Sequence, residues 1–285
     1  MPTPFTIWIV TPDGYSHTRS FEEQAIALEA AFKALGYEAS IITDPKDMKG
    51  YTVVLGANLL ATVRPESLPR KLIIYNMEQI QEGSEWITPE YLSLLKRYPV
   101  WDYSLRNIEK LRHLGVQKIA LCGVGYMPEL SRIPAMEEDI DVVFVGTMNP
   151  RRIKVLEALA ARGIKVTAAF DMYGKERDTL LARGKIGLNM HFYEAQIFEI
   201  TRVSYLLANH KCVVSETGHD RELEDPLREG IAFTAYDGIV DTCARLLSKP
   251  DERNSLAQKG FELYRQCSLI PMLKRAIETT FAKAG

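Results

Sequence analysis

The chain has 285 residues, 46% of them hydrophobic and 25% charged, the proportions of an ordinary globular protein with room for one large domain or two of usual size. Its 35 basic and 37 acidic residues leave a net charge of −2, which excludes the domain-wide basic excess of a nucleic-acid binder. No apolar stretch is long enough to cross a bilayer and the opening MPTPFTIWIV lacks a basic leader, so neither a transmembrane segment nor a signal peptide is expected.

In chain order, FTIWIV (5–10) is an apolar strand-like run that ends in the turn-rich TPDGYSH. An amphipathic helix follows from Ser20, its expected N-cap, to Leu35, with Gly36 as its stop. EASIITD (38–44), YTVVLGA (51–57) and KLIIYNME (71–78) read as strands, each closed by polar or Gly/Pro punctuation. WITPEYLSLLKRY (86–98) and SLRNIEKLRHL (104–114) read as helices, with short strands at VWDYS (100–104) and KIALCGV (118–124). Two prolines and a cluster of acids then break the alternation in GYMPELSRIPAMEEDID (125–141), which reads as a linker.

A second series begins at once. DVVFVGTMN (141–149) is a strand and its exit loop, followed by a helix from Pro150 to Ala161, IKVTAAF (164–170), a helix across ERDTLLARG (176–184) and KIGLNMHF (185–192). FEITRVSYLLANHKCVVSE (198–216) supplies a helix and a strand, GIAFTAY (230–236) another strand, and helices run from Asp237 onward. Strand and helix alternating through both halves predict an α/β protein with parallel sheets. The expected boundaries are 1–125 for the first domain, 126–138 for the linker, 139–265 for the second domain and 266–285 for a helical tail.

Four cysteines (Cys122, Cys212, Cys243 and Cys267) are widely spaced with no C-x-x-C pair, as in a reduced cytoplasmic protein. His191 and Glu194 are neighbours, but no third ligand stands at metal-site spacing and no metal is expected. GVGYM (123–127) has two of the three glycines of a dinucleotide fingerprint, yet Pro128 and the acidic linker occupy the place of the pyrophosphate helix. It reads as a turn leaving the first half. The P-loop pattern and the G-x-S-x-G elbow are both absent.

The second half carries more chemistry. Gly146 ends a buried strand, and Asn149, Pro150, Arg151 and Arg152 open the next helix. Proline suits the first helical position, but two arginines there oppose the helix dipole, a mismatch that a bound anion would reverse. Two solvated arginines are the plainer alternative. Downstream, Ile200, Val203 and Leu207 form an apolar helical face, with Glu199 and Arg202 on another, close enough to pair. A surface salt bridge is one reading; an anion site is the other, because ligands of open α/β sheets gather where strand ends feed helix N-termini.

DVVFVGTMNPRR, YGKERDTLLARGKIGLNMH, FEITRVSYLLANHKCVVSE and YDGIVDTCARLLSKPDERNSLAQKG together resemble the second domain of GT-B-fold group 1 glycosyltransferases, in the short branch related to spore-maturation glycosyltransferase-like proteins. The resemblance covers residues 139 to 265; the first half matches only in its order of strands and helices. It implies two Rossmann-like domains facing across a cleft, the tail packing back on the first. It also implies a metal-independent transferase moving a sugar from a UDP- or GDP-linked donor to an acceptor hydroxyl on a glycan, lipid-linked sugar, small molecule or protein. Gly146, Thr147 and Asn149 would approach the donor phosphates, with Arg151 or Arg152 as the basic contact. Asp171, Met172 and Tyr173 would lie beside the nucleobase, and His191, Glu199 and Arg202 would complete the donor site. Tyr205 stands where the family carries a glutamate, which leaves open whether the reaction inverts or retains.

In the first half, the loop TPDGYSHTR (11–19) holds Asp13, His17 and Arg19. An imidazole suits proton removal near neutral pH, which makes His17 a candidate base; an exposed loop histidine is the alternative. Glu78, at the end of another strand, is the second candidate, and Asp102 a third carboxylate. Two rival functions are a nucleotide-sugar epimerase and a non-catalytic partner subunit, the latter favoured by Tyr205.

Overall fold

The computed structural model describes residues 3–60, 68–81, 84, 86–192 and 197–282. The chain divides into two compact units, Met1–Glu129 with Ser268–Gly285, and Leu130–Cys267.

The first unit contains β1 (Phe5–Ile9), α1 (Glu22–Ala34), β2 (Ala39–Ile42), β3 (Tyr51–Leu55), β4 (Leu72–Asn76), α2 (Pro89–Arg97), β5 (Val100–Asp102), α3 (Leu105–His113) and β6 (Ile119–Leu121). Its six strands pair in parallel in the order β2-β1-β3-β4-β5-β6. Helices cover both faces of such a sheet, so β1 and β4 are buried at every position and read as continuous apolar runs. Thr88 and Ser104 cap α2 and α3 by accepting from Tyr91 N (3.2 Å) and Asn107 N (3.4 Å). The expected cap at Ser20 is corrected: a 3₁₀ turn over Ser16–Phe21 precedes α1, which starts at Glu22 without a side-chain cap. Gly36 does end α1. Its φ of +84° sets the left-handed residue of a Schellman turn, in which Tyr37 N donates to Phe32 O (3.0 Å).

The second unit contains β7 (Ile140–Val145), α4 (Pro150–Ala161), β8 (Val166–Ala169), α5 (Gly174–Ala182), β9 (Gly184–Asn189), α6 (Ile200–Ala208), β10 (Cys212–Glu216), α7 (Arg221–Glu224), β11 (Ala232–Thr234), α8 (Ile239–Leu247) and α9 (Pro250–Gln266). Its parallel order is β11-β10-β9-β7-β8. Phe144, Leu159, Ile186, Val214, Ile239 and Leu246 are fully buried in its core, each contributing about 1.5–3 kcal/mol by leaving water. Residues 130–138 belong to this unit, where Ser131 Oγ donates to Ala208 O (2.7 Å) and Asn209 Nδ2 to Leu130 O (2.9 Å).

The last helix, α10 (Leu269–Phe281), returns to the first unit. It packs on α1, Thr280 Oγ1 accepts from Trp101 Nε1 (2.8 Å), and the Phe281 ring meets Tyr51 edge-on at 4.6 Å. Gly123 of the rejected dinucleotide fingerprint makes room for this helix, since a Cβ there would lie 3.0 Å from Met272 Sδ. The four cysteines are free, and no helix among the described residues is long and apolar enough to cross a membrane.

Candidate functional site

In the second unit the sheet order reverses direction between β7 and β9: β8 lies to one side, β10 and β11 to the other. A crevice opens beyond the carboxyl ends of strands at such a switch point, because their crossovers depart to opposite faces. The loop after β7 brings Gly146, Thr147 and Asn149 there, the exit of β9 brings His191, and the start of α6 brings Glu199 and Arg202. Asn149 caps α4, accepting from Arg152 N (2.8 Å), while its own Nδ2 donates to Phe192 O (3.2 Å). One side chain thereby ties the two strand ends together.

The three arginines are held by the protein's own acceptors. Arg152 is 1% exposed. It donates to Thr147 O (2.7 Å), to Met190 O and to Glu199 Oε1 (2.6 Å). Burial pulls its guanidinium down to about 10, against the pull of Glu199. The expectation that Arg152 reaches a phosphate is therefore revised: it braces the Thr147 loop and the end of β9 from below. Glu199 also accepts from Phe192 N (3.1 Å) and pairs with Arg202. Arg202 Nε donates to Val145 O (3.0 Å) and its Nη1 to Asn189 Oδ1 (2.7 Å). No further hydrogen bond engages its Nη2 among the described residues, and the side chain is 21% exposed. Arg151 makes a forked pair with Glu216, lies over the Tyr236 ring at 4.0 Å and donates to His191 O (3.3 Å). The mismatch of two arginines at a helix start is thus met by Glu199 and Glu216, without any ligand.

Among the described residues, three guanidiniums face two carboxylates at the switch point. Gly146 is required by the same packing: a Cβ there would stand 2.7 Å from Arg202 Nη2. His191 is 2% exposed, and burial lowers its pKa despite Glu199 and Glu216, which favours the neutral ring. Glu194, expected beside His191, lies outside the described residues. Asp171, Met172 and Tyr173 follow β8, next to β7, with Asp171 exposed at a left-handed φ of +54°.

Asn189 and Glu216 were not singled out from the sequence. Each is a polar residue at the end of an apolar strand, and that is the only signal that could have marked them. Tyr205 points away from this cluster. It is 4% exposed, donates to Asp178 Oδ1 (2.8 Å), accepts from Arg132 Nε (2.9 Å) and lies under Arg177 at 4.3 Å. Its role here is packing between α5 and α6.

The first unit has its own switch point, between β1 and β3. His17 follows β1 in the 3₁₀ turn, half-buried, and Asn58 follows β3. Asn58 Nδ2 donates to Glu78 Oε1 (3.1 Å) beyond the end of β4. Burial raises the Glu78 carboxyl to about 7, and this one hydrogen bond only partly offsets it. Asp102, 0% exposed at the end of β5, is raised to about 7 by the same cause.

No family model matches the chain. An uncharacterised protein of Acanthamoeba polyphaga mimivirus is 30% identical over 200 residues, which are 64% of this chain and 64% of that protein, so the match spans less than two thirds of the relative's length. Another from the same virus is 26% identical over 219 residues, 75% of each chain. Among solved structures, Anabaena HepE in complex with UDP and glucose superposes with a TM-score of 0.65 at 9% identity, over 98% of this chain and all of that one. Sucrose-phosphate synthase from Thermosynechococcus elongatus gives 0.62 at 11% identity over 99% of this chain and 100% of that one. WaaG, a glycosyltransferase of lipopolysaccharide biosynthesis, gives 0.58 at 12% over 98% and 100%. Two parallel α/β units, followed along their whole length by these structures, give this chain a GT-B fold.

Proposed function

We propose that the chain transfers a sugar from a UDP- or GDP-linked donor to a hydroxyl-bearing acceptor. The observation that carries this reading is the gathering of Arg151, Arg152 and Arg202 at the second unit's switch point, with Arg202 Nη2 taking no hydrogen bond among the described residues. In this reading the donor diphosphate lies over Gly146, Thr147 and Asn149. Arg202 and Arg151 exchange part of their carboxylate bonding for phosphate oxygens, while Arg152 holds the loop still. Asp171, Met172 and Tyr173 flank the base, and His191 lines the site as a neutral imidazole. The likeness to structures that hold UDP or UDP-glucose supports this class of donor.

In the reaction the acceptor oxygen attacks the anomeric carbon and its proton passes to a general base. The bond from that carbon to the diphosphate oxygen breaks, and the electron pair leaves with the diphosphate. Cationic groups fixed before the reaction stabilise that developing charge at no cost in reorganisation. They supply the charge that a metal would, so turnover is expected to survive EDTA. Glu78 and His17 are the candidate bases. A carboxyl raised to about 7 is matched to proton transfer near neutrality, which favours Glu78.

Calorimetry with UDP, GDP and their glucose and mannose conjugates tests the proposal. Binding that Arg202→Ala abolishes supports it; no heat from any of them rejects it. Incubating the donor alone and following it by NMR separates transfer from epimerisation, which would give an isomer without acceptor.

A further inference from the structure

We propose that Asp102 is a positioning residue for Glu78: through Asn76 and Asn107 it fixes the main chain that presents the Glu78 carboxyl. This rests on the reading of Glu78 as the base.

Asp102 Oδ2 accepts from Asn76 Nδ2 (2.6 Å), and its Oδ1 accepts from Asn107 Nδ2 (3.2 Å) and Ser104 N (2.9 Å). The same two amides reach onward. Asn76 Nδ2 and Asn107 Nδ2 both donate to Glu78 O (3.0 and 2.9 Å). Asn76 Oδ1 accepts from Glu78 N (3.2 Å) and from Tyr91 Oη (2.8 Å), and Asn107 Oδ1 accepts from Ile80 N (3.0 Å). Lys110 Nζ donates to Ile80 O (2.7 Å). The amide and carbonyl of both Glu78 and Ile80 are therefore engaged by side chains from β4 and α3, and Asp102 sets the orientation of the two that do most of it. A buried asparagine amide can flip or rotate; by accepting from both Nδ2 groups and from Ser104 N, Asp102 dictates which way both amides point.

The arrangement is costly for packing alone. An ionisable group sits fully buried where an apolar side chain would fill the space without a desolvation penalty. Its yield is the opposite of looseness at Glu78, whose Oε1 takes the Asn58 amide while Oε2 has no hydrogen bond among the described residues. The main chain behind the carboxyl is held by these amides. The titratable groups of the cluster are Tyr91 from α2, Asp102 from β5 and Lys110 from α3.

The test is the titration of Glu78 itself, followed by NMR on protein labelled with ¹³C at the glutamate carboxyls and assigned with Glu78→Gln. Asp102→Asn and Asn107→Ala are each expected to move the Glu78 midpoint down by about one pH unit or more, as the loosened segment admits water. Each is also expected to lower kcat for UDP release from UDP-glucose about tenfold with KM unchanged. Asn107→Ala keeps the Asp102 charge, so it separates positioning from loss of a neighbouring anion, and it decides the matter if Asp102→Asn does not fold. A midpoint unmoved in Asn107→Ala overturns the inference, whatever Asp102→Asn does. A normal rate of UDP release in Glu78→Gln instead rejects the catalytic reading of Glu78, and leaves the titration to judge the positioning.

Discussion

Both units place polar residues beyond the carboxyl ends of a parallel sheet, at the switch point in the second unit and beyond β4 and β5 in the first, and tune them in opposite directions. In the first unit the cluster is built from amides and two carboxyls with no guanidinium among them: Asn58, Asn76, Asn107, Glu78 and Asp102. Desolvation then dominates, and both acids hold protons up to about pH 7. In the second unit the cluster is built from ion pairs, with Arg151, Arg152 and Arg202 against Glu199 and Glu216. There the charges stabilise one another. Strand ends of parallel sheets hold protons in one unit and ion pairs in the other, because the local charge partners differ.

The strongest challenge to that contrast is Arg152→Met, which removes a fully buried cation beneath the second cluster. It leaves Glu199 short of a partner and the Thr147 and Met190 carbonyls unbonded. A loss of about 3–5 kcal/mol is expected in urea unfolding; a near-neutral result would mean that the ion pairs do not hold this cluster together. The first cluster should announce itself through pH. Glu78 and Asp102 are raised to about 7 when folded, against ordinary values of 4.5 and 3.8. Between those limits the folded chain binds more protons than the unfolded one. Stability from these groups is therefore full in acid and falls as pH rises through about 4 to 7, on the order of 3 kcal/mol per group. Glu78→Gln should flatten the fall of melting temperature across that range, measured against wild type.

A smaller effect is expected from Arg202→Ala, which removes the partly exposed cation of the α6 pair. UDP affinity should drop roughly tenfold to a hundredfold by calorimetry, in line with about 1.5–3 kcal/mol for a charge-assisted hydrogen bond. Unchanged affinity would detach Arg202 from ligand binding. Gly146→Ala sharpens the same point at the lowest amplitude. Its Cβ would push against Arg202 Nη2, and a few-fold loss of UDP affinity with about 1 kcal/mol of stability is expected.

Much of the fold was written locally. Strands buried on both faces needed uninterrupted apolar runs, and KLIIYN, DVVFV and KCVVS supply them. Pro150 behind Asn149, and Gly36 after α1, fixed helix ends through backbone chemistry that acts within a few residues. Where a local rule had a competitor it failed: the 3₁₀ turn before α1 took up Ser20, the residue expected to cap it. The residues of the second cluster were legible as polar groups at strand ends and helix starts, with Glu199 and Arg202 near enough to pair.

What they pair with was not legible. Arg151 meets Glu216 across 65 positions of chain and Arg152 meets Glu199 across 47, contacts that exist only once β7, β9 and β10 lie side by side. The sequence by itself determined the alternation of strand and helix, and with it two parallel sheets, because periodicity and capping are short-range. Only the tertiary structure decided which arginine is buried and which stay partly exposed, and that Tyr205 packs where a functional glutamate was expected. It alone made Glu78 and Asp102 hold protons near neutrality. Burial and charge pairing depend on neighbours that the chain brings together from far apart, and no local pattern encodes them.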